Sequence, residues 1–516
     1  MKLLSAVQSR ELDRLSRDKY GIASYALMTR AGECVAESIA RRWPDQIRDG
    51  VIVLAGKGNN GGDAMVAARR LSREGASVRV VLLARAAELK GDARRAYDEW
   101  AGVGGVTIEA AAESQLAPIG GAGVIIDAIF GIGLNAEIGG IARQAIELIN
   151  HAGTRVAAVD IASGVNADSG AIMGAAVAAD LTVTFGAAKF GHVSYPGAAC
   201  CGELEVADIG FAPAAFAELG PLGWLIEEQE ARDLIRPRKP NTHKGTYGHP
   251  LIIAGSSGKA GAAILASRGA LRMGAGLVTA AIPESALPIV AAGQPELMTE
   301  PMAEMHGHFD ADRTIERLAA IAAKVSAFVI GPGIGVSRDT RAIVEWLISN
   351  SEPHNHPMVI DADALNVLSQ LGPDRLRSRT GATVLTPHPG EMSRLLASSI
   401  EEINADRISA ARRLAAISGA CVLLKGNRSV IANAAGEVCI NSSGNPGMGT
   451  PGMGDVLSGM LGALMGQGYS PFEALKLGVF LHGYAADRVA ASYGPFGYIA
   501  GDLIDELPRA IASLLQ

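Results

Sequence analysis

The sequence predicts an α/β protein with two domains, each built on a parallel sheet. Short, continuous apolar runs such as Val51–Ala55 and Met358–Ile360 alternate with segments of helical periodicity. This alternation indicates strands that are buried on both faces by helices. The 516 residues exceed the size of one ordinary core. The alternation also stops between residues 207 and 228 and then resumes, so we expect two such domains.

The composition excludes several classes of protein. Hydrophobic residues make up 48% of the chain and charged residues 19%, as in a folded globular protein. A net charge of −7 gives no electrostatic reason to expect a nucleic acid partner. The five cysteines are odd in number and show no CxxC spacing, which indicates a reducing compartment. No apolar run approaches the roughly 20 residues that span a bilayer, so we expect a cytoplasmic protein without a membrane partner.

The first domain is predicted to place three motifs at one sheet edge. Two helices within residues 1–45 are interpreted as packing elements, and strands follow at 51–55, 78–83, 123–128, 156–159 and 181–185. A further helix is predicted at 63–73. The carboxyl ends of parallel strands meet at one edge, where ligands usually bind. The motifs that follow these strands are GKGNNGGD at 56–63, DAIFGIGLN at 127–135 and DIASGVN at 160–166.

These motifs predict a ligand site with carboxylates. GKGNNGGD contains GxGxxG, but the match is weak because the next strand ends without the acidic residue that holds a ribose. Asn60 instead brings a side-chain oxygen that suits a hard monovalent or divalent cation. Asp63, Asp127 and Asp160 are each compatible with a helix cap, but their convergence favours a functional role. For Lys189, both an acid–base partner and a solvated surface lysine remain open.

A linker is predicted at 216–228, between a first domain at 1–215 and a second domain at 229–516. Strands of the second domain are predicted at 251–254, 277–282, 328–330, 358–360, 384–386 and 421–424. Distinctive loops follow most of them, namely GSSGK, GPGIG, DADALN, PHPGE and KG. GSSGK lacks the GxxxxGK[ST] spacing, so we reject a Walker A phosphate loop.

The most informative stretch is GNPGMGTPGMGDVLSG, at 444–459, which runs into an apolar helical pattern. Glycines let the backbone approach an anion closely, and the N-terminus of a helix adds the positive end of its dipole. The expected ligand is therefore a phosphate. Asp455 would repel a phosphate, so we interpret it as a general base that deprotonates an attacking hydroxyl. The alternative is that Asp455 is a helix N-cap.

Together these motifs resemble a known family. Residues 50–200, with GKGNNGGD, DAIFGIG and DIASGVN, resemble the NAD(P)HX epimerases. Residues 240–510, with GPGIG, DADALN, TPHPGE, LLKG and GMGD, resemble the ADP-dependent NAD(P)HX dehydratases. The resemblance implies a Rossmann-like three-layer domain followed by a ribokinase-like α/β domain. It also implies repair of NADH and NADPH hydrated at the nicotinamide ring, by epimerisation of the R and S hydrates and ADP-dependent dehydration of the S hydrate.

The resemblance also implies site residues. Those implied to hold the hydrated dinucleotide in the epimerase are Asn59, Asn60, Gly61, Gly62, Asp63, Gly131, Ile132, Gly133, Leu134, Asn135, Ala136, Glu137 and Asp160. Those implied to bind potassium are Asn60, Asp127 and Ser163. In the dehydratase, the implied hydrate contacts are Gly276, Gly333, His388 and Asp455. The implied ADP contacts are Lys425, Gly426, Asn427, Arg428, Ser429 and Gly454.

The implied mechanism agrees with the interpretation of Asp455. Phosphorylation by ADP would turn the ring hydroxyl into phosphate, a better leaving group than hydroxide, and would release AMP and phosphate. Magnesium is expected to bridge the nucleotide phosphates, with Glu391 as an indirect holder. In the epimerase, Asp160 is the hypothetical acid–base group, and the sequence does not identify its partner.

Two other functions remain open at this point. One is an ATP-dependent sugar or vitamin kinase fused to a Rossmann-type binding domain, since GMGD fits both activities. The other is a non-catalytic sensor of reduced or damaged dinucleotide, which the retained Asp160 and Asp455 disfavour. We also expect a homo-oligomer.

Overall fold

The computed structural model describes residues 1–119, 121–220, 222–349 and 355–516. The chain divides into two compact units, Met1–Gly223 and Trp224–Gln516. The boundary between them falls within the segment 216–228, of which Pro221 lies outside the described residues. Among the described residues, no helix combines the length and the apolar composition that a membrane crossing requires.

The first unit alternates strands with helices. Its strands are β1 Lys2–Leu4, β2 Val51–Ala55, β3 Val78–Leu82, β4 Val106–Glu109, β5 Val124–Ala128, β6 Arg155–Val159, β7 Leu181–Phe185, β8 Ala188–Lys189 and β9 Glu203–Ala207. Its helices are α1 Ala6–Asp18, α2 Ser24–Arg42, α3 Asn59–Arg73, α4 Gly91–Gly102, α5 Gly140–His151, α6 Phe190–Val193 and α7 Pro213–Ala217.

Seven of these strands form a parallel sheet with the order β4-β3-β2-β5-β6-β7-β9. After β2, the strands β3 and β4 are added towards one edge of the sheet. From β5, the strands β6, β7 and β9 are added towards the other edge. The carboxyl ends of β2 and β5 therefore flank the switch point, where open parallel sheets bind ligands.

Helices cover both faces of this sheet. Val51 and Val53 of β2 pack with α2 and α3, whereas the alternate residues Ile52 and Leu54 pack with α5. Successive side chains of a strand point to opposite faces of the sheet, so a fully buried strand needs helices on both faces. The result is three layers: helices, sheet and helices.

The second unit contains strands β10 Gly223–Ile226, β11 Pro250–Ile253, β12 Thr279–Pro283, β13 Met298–Met302, β14 Glu304–Met305, β15 His308–Phe309, β16 Ala327–Ile330, β17 Met358–Ile360, β18 Thr383–Leu385, β19 Cys421–Leu424, β20 Val430–Ala432 and β21 Val438–Asn441. Its helices are α8 Glu228–Leu234, α9 Ala260–Arg272, α10 Leu287–Gly293, α11 Ala311–Ala322, α12 Arg338–Ile348, α13 Ala362–Leu371, α14 Pro389–Leu396, α15 Ile400–Ala405, α16 Arg407–Ser418, α17 Met453–Gly466, α18 Pro471–Tyr493 and α19 Ala500–Leu514.

The strand order β13-β12-β11-β16-β17-β18-β19 is parallel, and β20 and β21 extend it in antiparallel fashion. Helices α9, α17, α18 and α19 contribute to one large core on this sheet. The predicted α/β class with parallel sheets is confirmed in both units.

Small residues bring α17 close to α9. A Cβ at Gly459 would collide with the Ala266 carbonyl, and a Cβ at Gly269 would collide with the Val456 carbonyl. This close packing fixes the position of the N-terminus of α17 relative to the carboxyl ends of the strands.

Candidate functional sites

A cavity of about 990 Å³ lies at the switch point of the first unit. Most residues predicted to hold the dinucleotide line it: Asn59, Asn60, Asp63, Gly131, Ile132, Gly133, Leu134, Asn135, Ala136 and Asp160. Gly61, Gly62 and Glu137 are not among the lining residues. Gly61 and Gly62 serve packing, because a Cβ would collide with the Gly56 carbonyl in one case and with Met28 in the other.

Asp160 is held by a buried ion pair. It directly follows β6, and its Oδ1 lies 2.6 Å from the Lys189 Nζ and 2.9 Å from the Thr184 Oγ1, which donates to it. The side chains of Lys189 and Asp160 are 3% and 14% exposed, so the surface-lysine alternative is excluded. Burial raises the pKa of Asp160, but the charge of Lys189 and the hydrogen bonds from Lys189 and Thr184 together outweigh this effect, and the net pKa is lowered. Asp160 is therefore a carboxylate at neutral pH.

The His192 ring hydrogen-bonds to the backbone of both residues of this ion pair. The Lys189 amide donates to the His192 Nδ1 at 2.9 Å, and the His192 Nε2 lies 2.9 Å from the Asp160 carbonyl oxygen. The assigned tautomer is thus neutral, with the proton on Nε2. Burial, followed by the charge of Lys189, lowers the pKa of His192 to about 4. This contact helps to hold Asp160 at a φ of 64°, an uncommon conformation for a non-glycine residue.

Asp63 is another carboxyl group that lines the cavity. The helix α3 begins at Asn59, with Gly58 as N-cap, so Asp63 lies in the second turn and is not a cap. Burial is the main cause that raises the pKa of Asp63 well above its usual value, and the negative charges of Asp160 and Asp13 add to it.

The three residues predicted to bind potassium, Asn60, Asp127 and Ser163, are connected by hydrogen bonds through the backbone of Phe130. The Asn60 Nδ2 donates to the Phe130 carbonyl at 3.0 Å, and the Phe130 amide donates to the Ser163 Oγ at 2.9 Å. The Ser163 Oγ and amide both donate to the Asp127 carboxylate, at 2.6 and 2.8 Å. Burial raises the pKa of Asp127 to about 6, and the hydrogen bonds from Ser163 oppose the rise.

One acceptor oxygen of this cluster receives no hydrogen bond. The Asn60 Oδ1 is buried and has no hydrogen-bond partner within the described residues. An unpaired buried acceptor is costly, and a monovalent cation would satisfy it. Phe130, Ser163 and Asp127, which hydrogen bonds link to Asn60, offer further oxygens. The residues therefore fit a potassium ion.

The helix α1 forms a further wall of the cavity, which the sequence did not indicate. Ser9, Arg10, Asp13, Arg14 and Arg17 line the cavity. The helical spacing of its apolar residues predicts α1 only as a packing element. The polar residues of its other face carried no motif.

In the second unit, a buried ion pair lies at the carboxyl ends of β17 and β19. The Lys425 Nζ lies 2.7 Å from the Asp361 Oδ1. The Thr386 Oγ1 and the Ser458 Oγ donate to the same carboxylate at 2.7 and 2.5 Å. Burial raises the pKa of Asp361, but the charge of Lys425 and the hydrogen bonds from Lys425, Ser458 and Thr386 together outweigh this effect, and the net pKa is lowered. Asp361 is absent from the residues predicted for the site, because its partners come from distant segments of the chain.

Glu391 and His388 flank this ion pair. The His388 Nδ1 accepts from the Gly390 and Glu391 amides, at 3.0 and 3.3 Å, and caps α14. The Glu391 Oε2 lies 4.0 Å from the Lys425 Nζ. Burial raises the pKa of Glu391 to about 7, although the Lys425 charge opposes the rise. The half-exposed His388 ring is thus presented at the sheet edge.

Asp455 lies in the first turn of α17, whose N-cap is Gly452, so the alternative of an N-cap aspartate is excluded. Burial, followed by the charge of Asp361, raises the pKa of Asp455 to about 7. A Cβ at Gly454 would lie 3.5 Å from the Lys425 Nζ. The N-terminus of α17 therefore faces Lys425, with Asp455 in the same electrostatic cluster.

The predicted nucleotide residues 425–429 form the turn between β19 and β20. The Ser429 Oγ donates to the Gly426 carbonyl at 2.9 Å, and Arg428 donates to the Ser442 carbonyl at 3.1 Å. Arg407 donates to the Leu424 and Lys425 carbonyls at 3.1 and 3.2 Å and so anchors the turn.

The two remaining predicted hydrate contacts lie at different places. Gly333 follows β16 at the carboxyl edge, and the Ser256 Oγ donates to its carbonyl at 2.7 Å. Gly276 precedes β12, and its amide donates to the Tyr247 carbonyl at 3.1 Å. Since the strands are parallel, Gly276 lies at the opposite edge of the sheet. The structure does not bring it together with His388 and Asp455.

Two family models match the chain. One, described as YjeF-related protein N-terminus, matches residues 24–191, and the other, described as NAD(P)H-hydrate dehydratase, matches residues 250–509. The first covers most residues that line the cavity, but not those of α1, nor Leu4, Ile209 and Phe211. The second covers the Lys425 cluster.

Individual relatives match over nearly the whole chain. The bifunctional NAD(P)H-hydrate repair enzyme Nnr of Moorella thermoacetica is 41% identical over 519 residues, which cover 100% of this chain and 97% of the relative. The enzyme of that name from Escherichia coli is 36% identical, over 97% of this chain and 92% of the relative.

A solved structure resembles the chain as well. An ADP/ATP-dependent NAD(P)H-hydrate dehydratase from Bacillus subtilis, co-crystallised with ATP and Mg²⁺, has a TM-score of 0.50 and 29% identity, and the match covers 56% of this chain and 98% of that chain. The two matched domains and the full-length relatives agree: the chain belongs to the family of bifunctional NAD(P)H-hydrate repair enzymes.

Proposed function

We propose that the two units divide the repair of hydrated NADH and NADPH between them. The first unit interconverts the R and S hydrates, and the second dehydrates the S hydrate with ADP, giving AMP and phosphate. The observation that carries this proposal is one chain with two separate sites: a large carboxylate-lined cavity in the first unit, and a lysine–carboxylate cluster at a helix N-terminus in the second.

In the second unit, Asp455 is proposed to accept the proton of the ring hydroxyl as this hydroxyl attacks the terminal phosphate of ADP. Asp455 suits the role because a pKa near the working pH favours a general base. The amides of the first turn of α17 stabilise the charged phosphoryl oxygens, and removal of one such donor costs about 2.7–4 kcal/mol of barrier. His388 and Gly333 are proposed to contact the hydrate.

Lys425 is proposed to hold the phosphates of ADP, together with Gly454 and residues 426–429. Burial lowers the pKa of Lys425, but the charges of Asp361 and Glu391, with the hydrogen bond to Asp361, together outweigh this effect and keep Lys425 charged. Among the described residues, no group of three acidic, histidine or cysteine side chains forms a metal site. Magnesium usually relies on substrate phosphates and one or two carboxylates, so Glu391 and the nucleotide phosphates together fit it.

The pH dependence of dehydration tests the role of Asp455. A general base must be ionised, so the rate is expected to fall about tenfold for each pH unit below the Asp455 pKa of about 7, and to level off above it. The pH profile of kcat/KM measures this, because that parameter reports the pKa values of the free enzyme. A rate that stays constant between about pH 5.5 and 8 would contradict the assignment.

In the first unit, Asp160 is proposed to contact the hydrated nicotinamide ring. The glycine loop 131–135 is proposed to hold the phosphates of the dinucleotide, since its residues line the same cavity. Asn60, Asp127 and Ser163 would hold potassium, which would order the loop around Phe130.

Potassium is expected to stabilise the first unit. An ion that binds only the folded state adds about 2.7 kcal/mol at 100 times its dissociation constant. Thermal unfolding in potassium and in tetramethylammonium chloride at equal ionic strength measures the effect, and Asp127→Asn should remove it. Equal melting temperatures of the native protein in the two salts would refute a potassium site.

The overall proposal is tested by the recovery of reduced-nicotinamide absorbance from a mixture of R and S hydrates, with ADP or ATP supplied. Full recovery supports both activities in one chain, and recovery limited to the S fraction refutes the epimerase assignment. A stable phosphorylated product would instead support the kinase alternative. Homo-oligomeric assembly and a cytoplasmic location stay predictions.

A further inference from the structure

We propose that Asp63 is the acid that protonates the departing hydroxyl during epimerisation, with the Asp160 carboxylate as its charged counterpart. This inference rests on the proposed epimerase function of the first unit. It supplies the proton-transfer partner of Asp160 that the sequence does not identify.

The first argument is the set of contacts around the cavity. Four carboxyl groups line it: Asp13, Asp63, Glu88 and Asp160. Three of them have a basic partner: Asp13 lies 3.9 Å from Arg17, Glu88 lies 3.5 Å from Lys57 and Asp160 lies 2.6 Å from Lys189. In the part of the chain that the structure describes, the Asp63 carboxyl group has no hydrogen bond or ion pair, so it is available to a ligand in the cavity.

The second argument is the charge distribution. The groups that act on Asp63 are Asp160 after β6, Asp13 on α1 and Lys189 of β8, and only Lys189 among them is positive. Lys189 is already paired with Asp160. Two neighbouring carboxyl groups in such a setting divide into one that is ionised and one that keeps its proton. Asp160 is the ionised member, and Asp63 keeps the proton.

This division suits the chemistry of the hydrate. Water adds to the enamine of a dihydronicotinamide so that the hydroxyl lies on the carbon next to the ring nitrogen. Asp63 donates its proton to that hydroxyl, the C–O bond breaks with its electron pair on oxygen, and water departs. The nitrogen lone pair forms a C=N bond, and the resulting ring cation is stabilised by the negative charge of Asp160. Water then adds to the opposite face, and the proton it loses restores the Asp63 acid through the water of the cavity.

The test compares three variants of the full-length protein. Asp63→Asn keeps the size of the side chain and removes its proton, whereas Asp63→Glu retains an acid. Glu147→Gln is the matched control, because it removes an exposed carboxyl group of α5 in the same unit that does not line the cavity. The rate of conversion of purified R hydrate to S hydrate is measured after subtraction of the spontaneous rate. ADP-dependent dehydration of the S hydrate by the same samples reports that the second unit is folded.

Asp63→Asn is expected to lower kcat for epimerisation by about 10²–10⁴-fold, the usual contribution of a general acid. The KM should stay within about threefold, because binding of the ground state is retained. The Asp63→Glu protein should be at least about tenfold faster than Asp63→Asn, and Glu147→Gln should stay within about threefold of the native protein. A native rate in Asp63→Asn, or a loss that lies entirely in KM, would overturn the inference.

Isotope labelling separates this inference from the proposed function. If the native protein does not epimerise at all, the proposed function itself fails. If it does, reaction in H₂¹⁸O is expected to place ¹⁸O in the ring hydroxyl of the product at each turnover. An active native protein that yields unlabelled product would overturn protonation and departure of the hydroxyl while leaving the epimerase assignment intact.

Discussion

The Asp455→Asn protein is expected to lose ADP-dependent dehydration by about 10²–10⁴-fold while its epimerisation rate stays native. The asparagine is nearly isosteric, but it does not accept the proton of the attacking hydroxyl. The substitution also removes a negative charge from the first turn of α17, close to Lys425. Binding of ADP should therefore be retained or strengthened, and the loss should appear in kcat.

The measurement is the initial rate of absorbance recovery from pure S hydrate, combined with calorimetric titration of ADP. Asp505→Asn is the matched control, because Asp505 is an exposed carboxylate of α19 in the same unit. A folded Asp455→Asn protein with native dehydration would remove Asp455 from the mechanism. Loss of both activities would refute the two-site arrangement.

The converse result is expected for Asp160→Asn, in which epimerisation falls by at least about 10²-fold and dehydration persists. This substitution leaves the Lys189 ammonium buried without its counter-charge. Removing one partner of a buried ion pair typically destabilises a protein by about 3–5 kcal/mol. The melting temperature of the first unit should therefore also fall.

The double variant Asp160→Asn with Lys189→Met separates the two effects, since it removes the unpaired charge. It should recover most of the stability and none of the epimerisation. Differential scanning calorimetry and R-to-S conversion measure the two quantities. Full epimerisation in the double variant would show that the ion pair has a structural role alone.

Many strands were predictable because of their burial. Residues 181–185, 358–360 and 421–424 were predicted with the bounds that the structure has. The last two are continuous apolar runs, which are typical of central parallel strands. The edge strands β4 and β9 were not predicted. Their residues are largely part-exposed or exposed, and such strands lack a continuous apolar run.

Helix starts at glycine loops were less predictable. The helix α3 begins four residues before the predicted start at residue 63, because Gly61 and Gly62 pack closely in the first turn. Glycine has a low helix propensity, and tertiary packing overrides it here. Asp63 thereby moves from a possible cap into the wall of the cavity.

By itself, the sequence determined the α/β class, the two-domain organisation and the loops at the strand ends, since these depend on local hydrophobic patterns and short motifs. Only the tertiary structure decided which charged groups are paired. Lys189 meets Asp160, and Lys425 meets Asp361, across 29 and 64 residues of the chain. Burial makes these pairs obligatory, because an unpaired charge is costly away from water. The same long-range packing leaves Asp63 without a partner, and this distinguishes the carboxyl group that carries a proton from the one that carries a charge.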